Sequence, residues 1–239
     1  MKKSLTLFIL IVLSFSSLAS ADQPSLIELL EESKKAIVTI KAQVKYKGAD
    51  AKNQQKGLFK KKELVEERVG AGVIIDPSGY IVTNTHTIVH AKKVKVILQD
   101  GTETYAGLAA IGQGFDFCIL KIWPKSNLPT VEWGDSDQVN LGDDVINIGE
   151  SYLLKGTISG GKIVAIGVDK NTQNSMSDLF QININLYKGD SGGPLLDQKG
   201  HLIGLMVAKQ TRADKSSFAV PSNKIRKQLM EYLAKIPNP

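Results

Sequence analysis

Ser191 stands in the stretch Tyr187-Lys188-Gly189-Asp190-Ser191-Gly192-Gly193-Pro194, a hydroxyl framed by glycines and followed by the apolar pair Leu195-Leu196. Glycine has no Cβ, so it reaches backbone conformations closed to other residues and lets a second molecule approach the main chain. A serine at the tip of such a turn is exposed, and the amides of Gly189 and Ser191 can converge on one small space. That combination suits acyl transfer: the hydroxyl attacks a carbonyl carbon, and the N–H groups hold the oxyanion that develops. A glycine-rich β-turn with an incidental serine has the same spelling. The chemical reading therefore requires a base, and an acid to orient it, elsewhere in the chain.

Two positions offer them. His86 follows the apolar stretch Tyr80-Ile81-Val82-Thr83-Asn84, and Asp116 immediately precedes Phe117-Cys118-Ile119-Leu120-Lys121-Ile122. An imidazole takes the serine proton, and a carboxylate behind it fixes the tautomer and stabilises the imidazolium. Taken alone, each residue also fits a structural role, His86 as an ordinary surface histidine and Asp116 as a turn aspartate. Order and setting raise the catalytic reading. The aspartate lies 30 residues after the histidine and the serine 75 after that, each at the edge of an apolar strand. His…Asp…Ser is the chymotrypsin-like order, and subtilisin and the α/β-hydrolases use others. His90, four residues after His86, raises a helical metal pair. The glutamate of a zinc-binding helix is missing between them, where Thr87, Ile88 and Val89 stand, so a metal pair is not expected there. His201 opens an apolar run after Gly200 and reads as a surface residue.

These residues need a scaffold. Ser25 followed by Glu28 forms a capping box for a short helix over 26–33. The β-branched run 36–44 reads as a strand, and the polar, lysine-rich stretch 48–67 as a long exposed loop. Strands over 72–75 and 80–84 flank the turn Asp76-Pro77-Ser78-Gly79. Further strands are expected at 94–98, 117–122, 144–149, 180–186, 193–196, 201–208 and 217–220, with a pair over 155–168 joined near Gly160-Gly161. Residues 124–129 read as a linker between two halves. Pro221-Ser222 opens an amphipathic helix with Ile225, Leu229, Met230 and Leu233 at helical spacing. Many short strands at even spacing predict an all-β fold of antiparallel barrels or a sandwich.

The whole chain sets the bounds. Its 239 residues are 42% hydrophobic and 23% charged, an ordinary globular composition. Lys2 and Lys3, an apolar core over 5–13 and the small residues Ala19-Ser20-Ala21 read as a signal peptide over 1–21, cleaved before Asp22. The apolar stretch is short for a membrane span. Cleavage removes two lysines and no acids and lowers the net charge from +6 to +4. The remaining basic excess is scattered and lacks interleaved aromatics, so no nucleic-acid partner is expected. Cys118 is the only cysteine, so no intrachain disulfide supports the fold even in an oxidising compartment.

At these residues the chain resembles the trypsin-like serine proteases, and among them the HtrA/Deg family of bacterial envelope proteases. The segment 70–86, Gly-Ala-Gly-Val-Ile-Ile-Asp-Pro-Ser-Gly-Tyr-Ile-Val-Thr-Asn-Thr-His, looks like the family's histidine segment. The runs 116–122, 128–136, 189–195 and 218–222 resemble its aspartate strand, inter-barrel connection, serine motif and domain end. The resemblance implies two six-stranded antiparallel β-barrels with a C-terminal α-helix: one barrel over about 35–123, a second over about 131–221, and a closing helix over 222–234. It implies a protease domain over 22–239, secreted or periplasmic, that hydrolyses unfolded or damaged envelope proteins and peptides. His86 would be the general base and acid, Asp116 its orienter, Ser191 the nucleophile, and the N–H groups of Gly189 and Ser191 the oxyanion hole. Asn185, Leu186 and Met206 would line the pocket for the side chain before the scissile bond. A neutral Asn185 there implies a small or medium apolar preference. A trimer is the family's assembly, the resemblance implies that no metal or cofactor is needed, and membrane association stays open. The sequence ends at Pro239, soon after the closing helix, so sensing through the family's PDZ domains is not expected within it. The family usually has asparagine before the serine, where this sequence has Asp190. A second reading keeps the fold but makes the protein a catalytically weak, chaperone-like peptide holder.

Overall fold

The computed structural model describes residues 24–45, 65–150, 155–167, 178–207 and 217–235. The expected signal peptide, residues 48–64 of the expected loop, and Ala208 lie outside them.

Helix α1 (Leu26–Lys34) begins at the expected capping box. Ser25 Oγ accepts from the Glu28 amide, and the Glu28 carboxylate accepts from the Ser25 amide at 2.7 Å. Two of the helix's unpaired N-terminal donors are thereby satisfied. The chain then enters the first sheet: β1 (Ile37–Lys45), β2 (Val65–Asp76), β3 (Tyr80–Thr83), the single helical turn α2 (Thr85–Ile88), β4 (Ala91–Ile97), β5 (Glu103–Tyr105), β6 (Gly107–Ile111) and β7 (Cys118–Lys121). β2 starts at Val65, inside the stretch read as a loop, because it pairs with β1 along its length from Val65↔Lys45 to Val73↔Ile37.

The strand order is β5-β4-β1-β2-β3-β7-β6. The two outermost strands are separated in sequence by Ala106 alone, whose N–H donates to Val94 O at 2.9 Å. The sheet thus curls until its edges are joined by the chain. Counted as one strand bent at Ala106, β5 and β6 make this half six-stranded. Neither segment reads as a strand from sequence, because both are short and carry much of their surface to solvent.

The second half holds β8 (Asp144–Glu150), β9 (Lys155–Ile166), β10 (Phe180–Ile182), β11 (Pro194–Leu196), β12 (Leu202–Val207) and β13 (Ser217–Pro221). They close into a barrel in the order β10-β13-β12-β11-β8-β9. β9 corrects one expectation. It runs straight through Gly160-Gly161 as a single strand, with Ile146↔Gly160 and Val145↔Gly161 paired. The glycine serves packing here rather than a turn, since a Cβ on Gly161 would collide with the Ile184 side chain.

Helix α3 (Ser222–Leu233) follows β13 directly and buries Ile225 and Leu229, four residues apart on one face. The halves share a core: Ile37, Ile40, Ile74 and Ile119 of the first pack in one cluster with Ile148, Leu196, Leu205 and Val220 of the second. Fully burying one such side chain contributes about 1.5–3 kcal/mol. A second cluster around Ile163, Ile182, Leu195 and Met206 fills the closed barrel.

Candidate active site

β3 delivers its chain end to the site. Asn84 stays extended (φ −78°, ψ 141°), then α2 makes one turn that carries His86. Asp116, just before β7, grips this turn twice. Its Oδ1 accepts the His86 backbone N–H at 3.0 Å, and its Oδ2 lies 2.5 Å from the ring Nδ1. β3 and β7 are paired in the sheet, Thr83 opposite Cys118, so the two residues are neighbours in space although 30 apart in sequence. Asn84 adds a third tie, donating from Nδ2 to the Asp116 carbonyl at 2.8 Å. From β2, Arg68 Nη1 donates to the carbonyls of His86 (3.1 Å) and Val89 (3.2 Å). The His86 peptide unit is therefore held at its N–H by Asp116 and at its C=O by Arg68. Sequence reasoning missed Asn84 and Arg68. Asn84 lies within the candidate segment 70–86, whereas nothing in the spelling around Arg68 marks it.

Ser191 occupies a tight turn. Asp190 N–H donates to Tyr187 O, and Gly193 N–H to Asp190 O, each at 3.0 Å. Asp190 Oδ2 accepts the Tyr187 N–H at 2.8 Å. Gly189 (φ 111°) and Gly192 (φ 85°) supply the positive φ values that residues with a Cβ avoid. Among the described residues, the amides of Gly189 and Ser191 donate to no protein acceptor, although both residues are buried. Buried backbone donors are nearly always paired, so two free ones side by side mark a place built for an incoming acceptor.

Both halves hold this turn. Gly192 N–H donates to Met206 O on β12 at 2.9 Å, and Met206 N–H to Gly193 O at 2.8 Å. On the other side, Ala71 N–H of β2 donates to Ser191 O at 2.8 Å, and Thr83 Oγ1 donates to Ala71 O at 2.6 Å. A Cβ on Gly70 would meet Thr87 Cγ2 at 2.9 Å and Ser191 O at 3.1 Å. His86's neighbour Thr87 and Ser191 thus meet over the bare Cα of Gly70.

Of the expected pocket residues, Asn185 is exposed, while Leu186 and Met206 are buried in the closed barrel's core. Met206 is tied by main-chain bonds to Gly192 and Gly193, the two residues that follow Ser191. His90 lies beyond α2 with a left-handed backbone (φ 62°), off any helical face shared with His86. His201 is partly buried: its Nδ1 is 3.2 Å from Asp197 Oδ2, and its Nε2 is 3.5 Å from Glu132 Oε2.

The electrostatics follow the geometry. Burial pushes the Asp116 carboxyl up, but the His86 ring and amide and the Thr85 amide outweigh it and hold the group below its ordinary value. Asp116 is therefore ionised at neutral pH, as a partner for an imidazolium must be. Cys118 is buried, and burial, with the Asp116 charge second, pushes its thiol up to about 12. It stays a thiol and is no rival nucleophile.

A curled sheet that holds a His–Asp pair, and a closed barrel joined to it through the main chain of a glycine-framed serine, define a protein of the trypsin-fold class. The trypsin-like peptidase domain matches residues 70–205, and the chain belongs to that family. Its kind within the family is HtrA-like. It is 36% identical over 170 residues to a probable periplasmic serine endoprotease DegP-like of Brucella suis, covering 70% of this chain and 33% of that one. It is 31% identical over 247 residues to the periplasmic pH-dependent serine endoprotease DegQ of Escherichia coli, covering 92% of this chain and 53% of that one. The chain thus spans between a third and about half of these curated relatives. Among solved structures it is similar to the HtrA-type protease AlgW with tripeptide (TM-score 0.72, 27% identity, covering 89% of this chain and 64% of that one). It is likewise similar to AlgW with decapeptide (TM-score 0.72, 26% identity, covering 89% and 68%).

Proposed function

We propose that the protein is a serine endopeptidase that cleaves unfolded polypeptides in the bacterial envelope. Ser191 Oγ attacks the scissile carbonyl while His86 takes its proton. Asp116 holds the imidazole by Nδ1 and stabilises the imidazolium. The N–H groups of Gly189 and Ser191 receive the oxyanion, and His86 then returns the proton to the leaving amine. Water repeats the sequence on the acyl-enzyme. The observation that carries this reading is the grip of Asp116 on both the ring and the main chain of His86, beside a turn with two free buried amides.

Asn185, Leu186 and Met206 form the proposed pocket for the residue before the cut. Leu186 and Met206, buried in the barrel core, would back its wall with apolar surface, which suits a small or medium apolar side chain. The envelope is proposed from the signal-like segment 1–21 together with relatives named as periplasmic. The test is labelling with a fluorophosphonate, followed by hydrolysis of unfolded casein. The wild type should label at Ser191 and cleave casein, and Ser191→Ala should do neither. Undiminished cleavage by that variant would end the assignment.

A further inference from the structure

The turn that carries Ser191 rests on a buried acid. Asp190 is 4% exposed and Glu150, at the end of β8, is 2% exposed. Asp190 packs against Gly149, the residue before Glu150, whose missing Cβ leaves the room that Asp190 Oδ1 fills. Glu150 has a donor at each oxygen: Thr39 Oγ1 at 2.8 Å on Oε2 and Gln99 Nε2 at 3.0 Å on Oε1. Asp190 has one donor, the Tyr187 amide on Oδ2, and its Oδ1 has no partner. Among the described residues no cation pairs with either acid. The titratable side chains flanking Asp190 in its own turn, Tyr187 and Lys188, are exposed. His86 and Asp116 are paired with each other.

Two carboxylates buried in one region of the fold with no cation between them do not both ionise readily, since each loses hydration and each repels the other. Glu150, with two donors, is the member suited to the charge. We propose that Asp190 is a positioning residue for the hydrolysis proposed above, setting the Tyr187–Ser191 turn as a neutral acid beside buried Glu150, so that loss of its proton loosens that turn. The electrostatics agree in direction: burial first, and the Glu150 charge after it, raise the Asp190 carboxyl above its ordinary value of 3.8. A raised folded-state value contributes stability that is fully present below the ordinary aspartate value and is lost as pH rises through the raised one. A neutral amide at position 190 keeps the shape and the acceptor for Tyr187 without that loss.

Thermal unfolding and fluorophosphonate labelling of the wild type, Asp190→Asn and Glu150→Gln, each from pH 4 to pH 8, test the proposal. The midpoint of Asp190→Asn should gain on the wild type as pH rises, by about 2 °C or more across the range. Glu150→Gln should show a shallower dependence than the wild type. The ratio of labelling rates, Asp190→Asn over wild type, should climb several-fold over the same range, because any pH dependence the two proteins share cancels in it. Parallel midpoint curves, or a constant labelling ratio, would overturn the proposal. If no form labels at any pH, the hydrolase reading fails, and the midpoint curves still decide whether Asp190 holds the proton.

Discussion

At the scale of single residues, the proposed chemistry depends on a carboxylate that does two jobs. Asp116 orients the His86 ring and also anchors the amide that starts its helical turn. Replacing it with asparagine preserves size but puts an amide against Nδ1, which favours the wrong tautomer. Asp116→Asn should lower kcat by about 10⁴-fold with KM little changed, as steady-state hydrolysis of a chromogenic peptide would show. The folded-state value of Asp116 is depressed, so its contribution to stability is present above the ordinary aspartate range and is lost as pH falls through the depressed value. This acid-side loss is opposite in sign to the one proposed for Asp190, and the two can be read separately in one pH series. The residue types of this site were legible in the sequence, because histidine, aspartate and a glycine-framed serine each carry a chemical signature. Arg68 was not legible. Its bonds go to backbone carbonyls, and a carbonyl leaves no trace in a side-chain code.

At the scale of elements, short strands succeed by delivering ends rather than faces. β3 and β7 put His86 and Asp116 side by side because their register pairs Thr83 with Cys118. The serine turn is wedged between β2 and β12, and Gly192 is the wedge. Its φ of 85° and the collision a Cβ would make with the Ala71 carbonyl leave no place for a side chain. Gly192→Ala should therefore pull Ser191 off Ala71, lowering labelling by at least about 100-fold. It should also cost roughly 1–3 kcal/mol of stability in urea unfolding. Labelling at the wild-type rate would show that the turn adapts. The capping box at Ser25 and the turn at 76–79 were legible, since both depend on contacts within a few residues. The unbroken run of β9 through Gly160-Gly161 was not, because the packing of Ile184 against Gly161 is a tertiary contact.

At the scale of the whole molecule, α3 ties the halves together. Ser222 Oγ donates to Gly134 O at 3.0 Å, and Asn223 Nδ2 donates to Asp135 Oδ1 at 2.7 Å, both on the connection into the second barrel. Further along, Gln228 exchanges hydrogen bonds with the main chain of Gln113, and Tyr232 packs edge-on against Tyr80 at 6.3 Å, both on the first sheet. Leu229→Ala empties a buried site in the shared cluster and should cost about 2–5 kcal/mol. Because the halves share that cluster, unfolding should remain one transition by circular dichroism and by labelling of Ser191. Two separated transitions would show that the halves fold apart. By itself, the sequence determined the all-β class, the capped first helix and the identity of the candidate reactive side chains, because period, turn chemistry and functional groups are local properties. Only the tertiary structure decided that Asp116 holds His86 by ring and backbone together, and that a buried acid with one unpartnered oxygen precedes the candidate serine. Those facts depend on strand register and on which buried groups meet across the barrels, and no stretch of sequence carries either alone.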